Sequence, residues 1–347
     1  MAMTIVETAR PITGGVDTHL DLHVAAALDA NGGVLGVESF PATRSGYRDL
    51  RLAGRLGGLV RVGVEGTGAY GAGLSRFLRA AGVEVIEVDR PNRQARRRHG
   101  KSDPLDAVEA ARAALSGRAR SIAKSADGCM EAMRALLVAK RSARDVRIKT
   151  LNQIRHLSFT APDHLRERLQ GVGRDALAPH AAALRPRQGG DVVTYGTKLA
   201  LRTLGRRVLD LDEQTAVIDT ALDELVVATA PSLESLYGVG TDTAAILLVA
   251  AGDNPGRIRS QAAWAHLCGV APVPASSGKV TRHRLNRGGN RQANHALWRI
   301  VITRMGSEPR TRVYVQRRLA EGLTKPEIIR VLKRYVAREV YRHLPRT

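Results

Sequence analysis

Along the first 120 positions, short apolar runs alternate with stretches in which apolar residues recur at helical spacing. Gly14-Gly15-Val16-Asp17 opens a strand that resumes through His23-Val24-Ala25-Ala26-Ala27-Leu28. Asn31-Gly32-Gly33 is a hairpin turn signal that returns Val34-Leu35-Gly36-Val37 beside it. Residues 60–64 and 83–88 are two more short, mostly apolar strands. The pattern predicts helices over residues 45–56, with Ser45 as cap, and over residues 69–81, stopped by Gly82. Residues 103–115 repeat apolar positions at helical spacing. Strand pairs followed by alternating helix and strand predict an α/β domain with a mixed sheet over residues 1–125.

Beyond it the pattern turns helical. Residues 129–159 and 197–229 carry apolar positions among many basic ones and exceed the usual length of globular helices. We read residues 126–230 as a coiled-coil-like dimerisation region, with loops at Gly171-Val172-Gly173 and residues 186–190. A mainly helical domain follows over residues 231–347. It opens on Leu236-Tyr237-Gly238-Val239-Gly240-Thr241 and an apolar run, the pattern of a helix-hairpin-helix element. Such a corner either presents glycine amides to a phosphate or simply packs two helices.

Composition narrows the partners. The 347 residues hold 54 Lys and Arg against 33 Asp and Glu, a net charge of +21, and only 3% aromatics. Arginine predominates, and its planar fork suits bidentate phosphate contacts. A surplus of this size calls for a polyanionic partner, because phosphate neutralisation supplies most nucleic-acid affinity. High-GC codon usage is the bland alternative source of the arginines. Two cysteines are too few for a disulfide framework or a cysteine-rich zinc site. No run of about 18 uncharged apolar residues is present to span a bilayer, and residues 1–10 lack a secretory pattern. The expected setting is cytoplasmic, with nucleoid association when bound to DNA.

Four acids stand where a metal site can be assembled. Asp17 ends the first half-strand, and Glu65 closes the strand Val62-Gly63-Val64-Glu65. Asp103 and Asp106 are three apart and share one helical face. Carboxylates grouped in this way bind hard divalent cations, and a pair of such ions can clamp the oxygens of a phosphodiester. Singly, each acid has a plainer role: a turn at Asp17, a loop cap at Glu65, an N-cap at Asp103 before Pro104. The basic Arg93, Arg96, Arg97, Arg98 and Lys101 lie beside the acidic pair as candidate nucleic-acid contacts.

Near the C-terminus, Ser276-Ser277-Gly278-Lys279 follows Cys268-Gly269-Val270-Ala271-Pro272. Arg282, Arg284, Arg287 and Arg291 come next. This is a hydroxyl on a glycine-bounded loop among cations. Such a hydroxyl needs activation before it can attack, and the cations can stabilise charge on a transferring phosphoryl group. A phosphate-gripping loop would use the same residues.

Gly15-Val16-Asp17-Thr18, Val64-Glu65-Gly66-Thr67-Gly68-Ala69-Tyr70 and Lys101-Ser102-Asp103-Pro104-Leu105-Asp106-Ala107 resemble the three motifs of a RuvC-like, RNase H-fold DEDD domain. Together with the serine loop, they resemble the IS110 family of insertion-sequence transposases, described as bridge-RNA-guided recombinases. The resemblance implies that Asp17, Glu65, Asp103 and Asp106 hold Mg²⁺ or Mn²⁺. It implies that Ser277, directly before a glycine, is the nucleophile forming a phosphoserine link to DNA, with Ser276 one position away as fallback. It further implies DNA element ends and target as substrates, a structured guide RNA, and a homo-oligomer, dimer or tetramer. Two other readings stay open: a metal-dependent junction nuclease whose serine loop only grips phosphate, and a non-enzymatic nucleic-acid-binding protein.

Overall fold

The computed structural model describes residues 11–53, 58–88, 102–189, 191–254, 256–276, 280 and 282–345. Two compact units make up the chain. The first comprises Met1–Gly128 with Gly252–Arg257, and the second Cys129–Ala251 with Ile258–Thr347.

The first unit is a mixed six-stranded sheet with helices, the α/β architecture expected from the pattern. Its strands are β1 (Ile12–Thr18), β2 (Leu22–Leu28), β3 (Val34–Pro41), β4 (Leu59–Glu65), β5 (Glu84–Val88) and β6 (Ser121–Ile122). They lie in the order β3-β2-β1-β4-β5-β6. The first three strands form an antiparallel meander, while β4 and β5 run parallel to β1. Every residue of the central β1 is buried. Helix α1 (Arg44–Ala53) is capped by Thr43, whose hydroxyl accepts from the Gly46 amide at 3.2 Å. Ser45 therefore sits in the first turn instead of at the cap. Helix α2 (Ala72–Ala80) starts three residues later than the periodicity predicts. A glycine turn occupies the difference, with Gly66 at φ +70° and its carbonyl accepting from the Ala69 and Gly71 amides.

Helix α3 (Asp103–Leu115) lies directly on the sheet. Its buried residues are mostly alanine, with Ala107, Ala110, Ala111 and Ala114 among them beside Val108. Opposite stand Gly15 of β1 and Gly63 of β4, where an added methyl would overlap the backbone of Ala107 and Ala111, or the Ala110 carbonyl. Backbone thus meets backbone, and no side-chain repacking can make room. Gly15→Val is expected to destabilise the protein by more than about 3 kcal/mol, the upper end for overpacking. Gly36→Ala on β3, which meets nothing within 4 Å, should be near neutral. Urea unfolding of the two variants checks this, and equal midpoints would contradict the close packing.

The 252–257 segment returns to this sheet, a connection the linear pattern did not signal. Asn254 accepts from the Ser125 amide at 2.9 Å and donates to the Ala123 carbonyl at 2.7 Å.

The second unit is helical. Helices α4 (Cys129–Phe159) and α7 (Val192–Thr229) are its longest elements. The ion pairs Lys140–Asp219 and Arg147–Asp212 set them antiparallel, since one number rises as the other falls. Helix α7 starts five residues earlier than the pattern predicts, because Asp191 caps it through the Val193 and Thr194 amides. Between them the short α5 (Asp163–Leu169) and α6 (Arg174–Ala182) cover one end. There Ile154, Leu165, Leu177, Leu201 and Val208 share a core. A larger core gathers Met133, Leu222, Val226, Leu247, Trp264, Leu297 and Val336. It joins the long pair to α8 (Pro231–Glu234), α9 (Thr241–Ala251), α10 (Gln261–Leu267), α11 (Arg291–Ser307), α12 (Pro309–Ala320) and α13 (Lys325–His343). Among the described residues no helix is long and apolar enough to cross a membrane.

Candidate metal centre and serine loop

The parallel pairing of β1 with β4 aligns Val16 with Val64, so Asp17 and Glu65 follow at the same level of the sheet. The Thr18 hydroxyl donates to the Glu65 carbonyl at 2.8 Å and ties the two strand ends together. The glycine-on-alanine packing of α3 then sets its first turn, with Asp103 and Asp106, beside these ends. Ser102 occupies the N-cap position and Asp103 begins the helix, so Asp103 is not the cap. Asp106 is buried at 4% exposure and Asp17 at 8%.

Asp17 and Asp103 converge on His19, whose Nε2 lies 3.3 Å from Asp17 Oδ2 and 3.4 Å from Asp103 Oδ2. Ligand atoms of these three residues lie within 4.8 Å of one another, the spacing of a metal site. Glu65 and Asp106 fall outside that trio. Burial raises the Asp17 pKa, the charges of Asp103 and Asp106 raise it further, and His19 opposes them. A carboxylate under that strain gains most from a nearby cation, and the oxygen-rich donor set suits a hard divalent ion. The residues therefore fit the metal that the acidic pattern implies. His19 is the site residue that sequence reasoning missed. Its only signal was its nearness to Asp17, one residue past the end of β1.

The serine loop hangs from a tightly closed base. Gly269, at φ +64°, packs against the Gly288 carbonyl, and the Asn290 amide donates to the Leu267 carbonyl at 2.6 Å. The Asn294 side chain donates to the Cys268 and Gly269 carbonyls at 2.8 and 3.2 Å, and Lys333 Nζ donates to Asn294 Oδ1 at 2.9 Å. Above this base, β7 (Val273–Pro274) pairs with β8 (His283–Arg284). That ribbon brings Ser276 onto Arg282, whose amide donates to the Ser276 hydroxyl at 3.1 Å. Arg282, Arg284, Arg287 and Arg291 are all exposed. Ser277 and Lys279 lie outside the described residues, as do Arg93, Arg96, Arg97, Arg98 and Lys101.

At the glycine corner before α9, the Gly240 amide donates to the Thr243 hydroxyl at 3.0 Å. The Thr241 hydroxyl donates to Asp223 and Glu234, and Asp242 pairs with Lys140. A corner ringed by carboxylates and internally bonded serves helix packing better than phosphate binding.

Two family models match this chain, one over each of the regions that carry the motifs. Residues 14–160 match a family model for IS110-type DEDD domains described as "Transposase". Residues 230–316 match one described as "Transposase IS116/IS110/IS902 family". A Streptomyces coelicolor protein, "Insertion element IS110 uncharacterized 43.6 kDa protein", is 32% identical over 149 residues. That alignment covers 41% of this chain and 36% of the relative.

Proposed function

Because the chain belongs to the IS110 family of insertion-sequence transposases, we propose that it cuts and rejoins DNA at the ends of a mobile element through a serine–DNA intermediate. The observation that carries this reading is the acid cluster of Asp17, His19 and Asp103 over the ends of β1 and β4. Asp17, Glu65, Asp103 and Asp106 hold Mg²⁺ or Mn²⁺, which when bound stabilises charge on the phosphoryl oxygens. His19 stands between Asp17 and Asp103, its Nε2 within ion-pair reach of both.

Ser277 supplies the attacking hydroxyl. Its oxygen forms a bond to phosphorus as the bond to the deoxyribose 3′-oxygen breaks, leaving a 5′-phosphoserine and a free 3′-hydroxyl. A 3′-hydroxyl from another strand attacks the phosphoserine and releases the serine, so the phosphoester count is conserved without ATP. Lys279, Arg282 and Arg284 steady the phosphate's charge. The Ser276 hydroxyl is engaged by the Arg282 amide at 3.1 Å, which disfavours it as the nucleophile and leaves Ser277, directly before Gly278, as the choice the family pattern makes. Arg93, Arg96, Arg97, Arg98, Lys101, Arg287 and Arg291 add backbone contacts to nucleic acid, in keeping with the +21 charge. A structured RNA pairs with donor and target DNA, and protomers of a homo-oligomer share the work on the bacterial nucleoid.

The test is recombination between plasmids bearing the element's ends and its flanking non-coding DNA. Excess chelator should abolish product, and Mg²⁺ or Mn²⁺ should restore it. Undiminished recombination in chelator would remove the metal from the reading.

A further inference from the structure

Helices α11, α12 and α13 enclose a cleft of about 250 Å³ that belongs to neither motif. Tyr314 and Tyr335 form its aromatic side, with ring centroids 6.2 Å apart and planes at 88°. Tyr335 is 44% exposed. Arg304 is buried in the lining, its Nε donating to the Tyr237 carbonyl and its Nη1 to Glu339, both at 2.8 Å. Glu308 also lines the cleft, bonded to the Thr311 hydroxyl. Around the tyrosines, Arg317 and Arg318 lie over Tyr314 at 5.4 and 6.0 Å, and Arg338 over Tyr335 at 5.8 Å. Residues 309–343 carry ten Lys and Arg against Glu321, Glu327 and Glu339.

Each component selects the ligand. Two tyrosines beside an open cleft of this size favour a flat π-system over an aliphatic chain. An ion pair in the lining disfavours a wholly apolar guest, because its carboxylate needs donors to satisfy the remaining lone pairs. Amino groups on nucleobase edges are such donors, and Glu is a natural acceptor for them. An acidic peptide would meet the same cations but offers the two tyrosines no flat ring. The cationic surround matches phosphates on either side of an inserted base. Bases in a duplex are stacked and cannot enter, whereas those of an unpaired strand can be splayed out and stacked on Tyr and Arg.

We propose that this cleft receives one everted nucleobase from an unpaired nucleic-acid strand. The site is distinct from the recombination chemistry, and its readout is binding alone.

Fluorescence anisotropy of the full chain tests it, with mixed-sequence RNA and DNA strands of about 12 nucleotides and a blunt duplex as probes. Tyr335→Ala should weaken single-strand binding about tenfold and duplex binding less than about twofold. Tyr335→Phe should keep wild-type affinity, since the stacking face remains. An abasic strand should bind the wild type as weakly as the intact strand binds Tyr335→Ala, which holds even if that variant folds poorly. The RNA and DNA arms tell which sugar the site accepts. Equal losses for strand and duplex, or intact and abasic strands bound equally well by wild type, would overturn the proposal.

Discussion

Asp17→Asn should lower DNA strand cleavage by about three orders of magnitude or more, equivalent to about 4 kcal/mol of transition-state stabilisation. The change keeps shape and removes the charge at the point where β1, β4 and α3 meet. Stability should move the other way. The folded pKa of Asp17 is raised, chiefly by burial and then by Asp103 and Asp106. The stability tied to that carboxyl is therefore complete below its unfolded pKa near 4 and is lost as pH rises through the folded value. At pH 7 the ionised group weakens the fold. In chelator Asp17→Asn should melt at an equal or higher temperature than wild type, and the difference should shrink toward pH 4. Paired cleavage and melting assays at the two pH values check both halves. An active Asp17→Asn, or one that melts well below wild type at pH 7, would contradict this role for the carboxylate.

Much of this architecture was legible in the chain. Period-two and period-3.6 patterns report local structure, and they placed β4, β5, α3 and α4 close to their observed bounds. The reading of residues 14–28 as one strand that resumes failed, because the chain reverses after Thr18 and pairs β2 antiparallel to β1. Helix ends depended on caps that periodicity does not weigh: Thr43 in place of Ser45, and Asp191 at the start of α7. The acidic residues stood out because carboxylates at strand ends are uncommon in a basic chain. His19 did not, since a histidine after a strand usually reports nothing until the fold brings Asp103 to its ring. The meeting of α3 with Gly15 and Gly63, and that of Gly269 with Gly288, are tertiary contacts between segments far apart in sequence. The cleft at Tyr314 and Tyr335 was hidden for the same reason, as its walls come from three helices.

Ser277→Ala should eliminate cleavage and rejoining, a loss of several orders of magnitude typical of a removed nucleophile. Losing one phosphate hydrogen bond would cost only about 0.5–3 kcal/mol. Binding should persist, because Arg282, Arg284, Arg287 and Arg291 remain exposed along the segment that leads into α11. Ser276→Ala should stay active, since the Ser276 hydroxyl is engaged within the loop, accepting from the Arg282 amide and donating to its carbonyl. A dead Ser276→Ala beside an active Ser277→Ala would move the nucleophile by one residue and leave the chemistry intact. The decisive measurement is a denaturing gel of the protein after reaction with 3′-end-labelled element-end DNA. Wild type and Ser276→Ala should carry label at the mass of protein plus DNA, and Ser277→Ala should carry none. Cleaved DNA that runs entirely free of wild-type protein would contradict the account, because hydrolysis at the metal site alone leaves no covalent link.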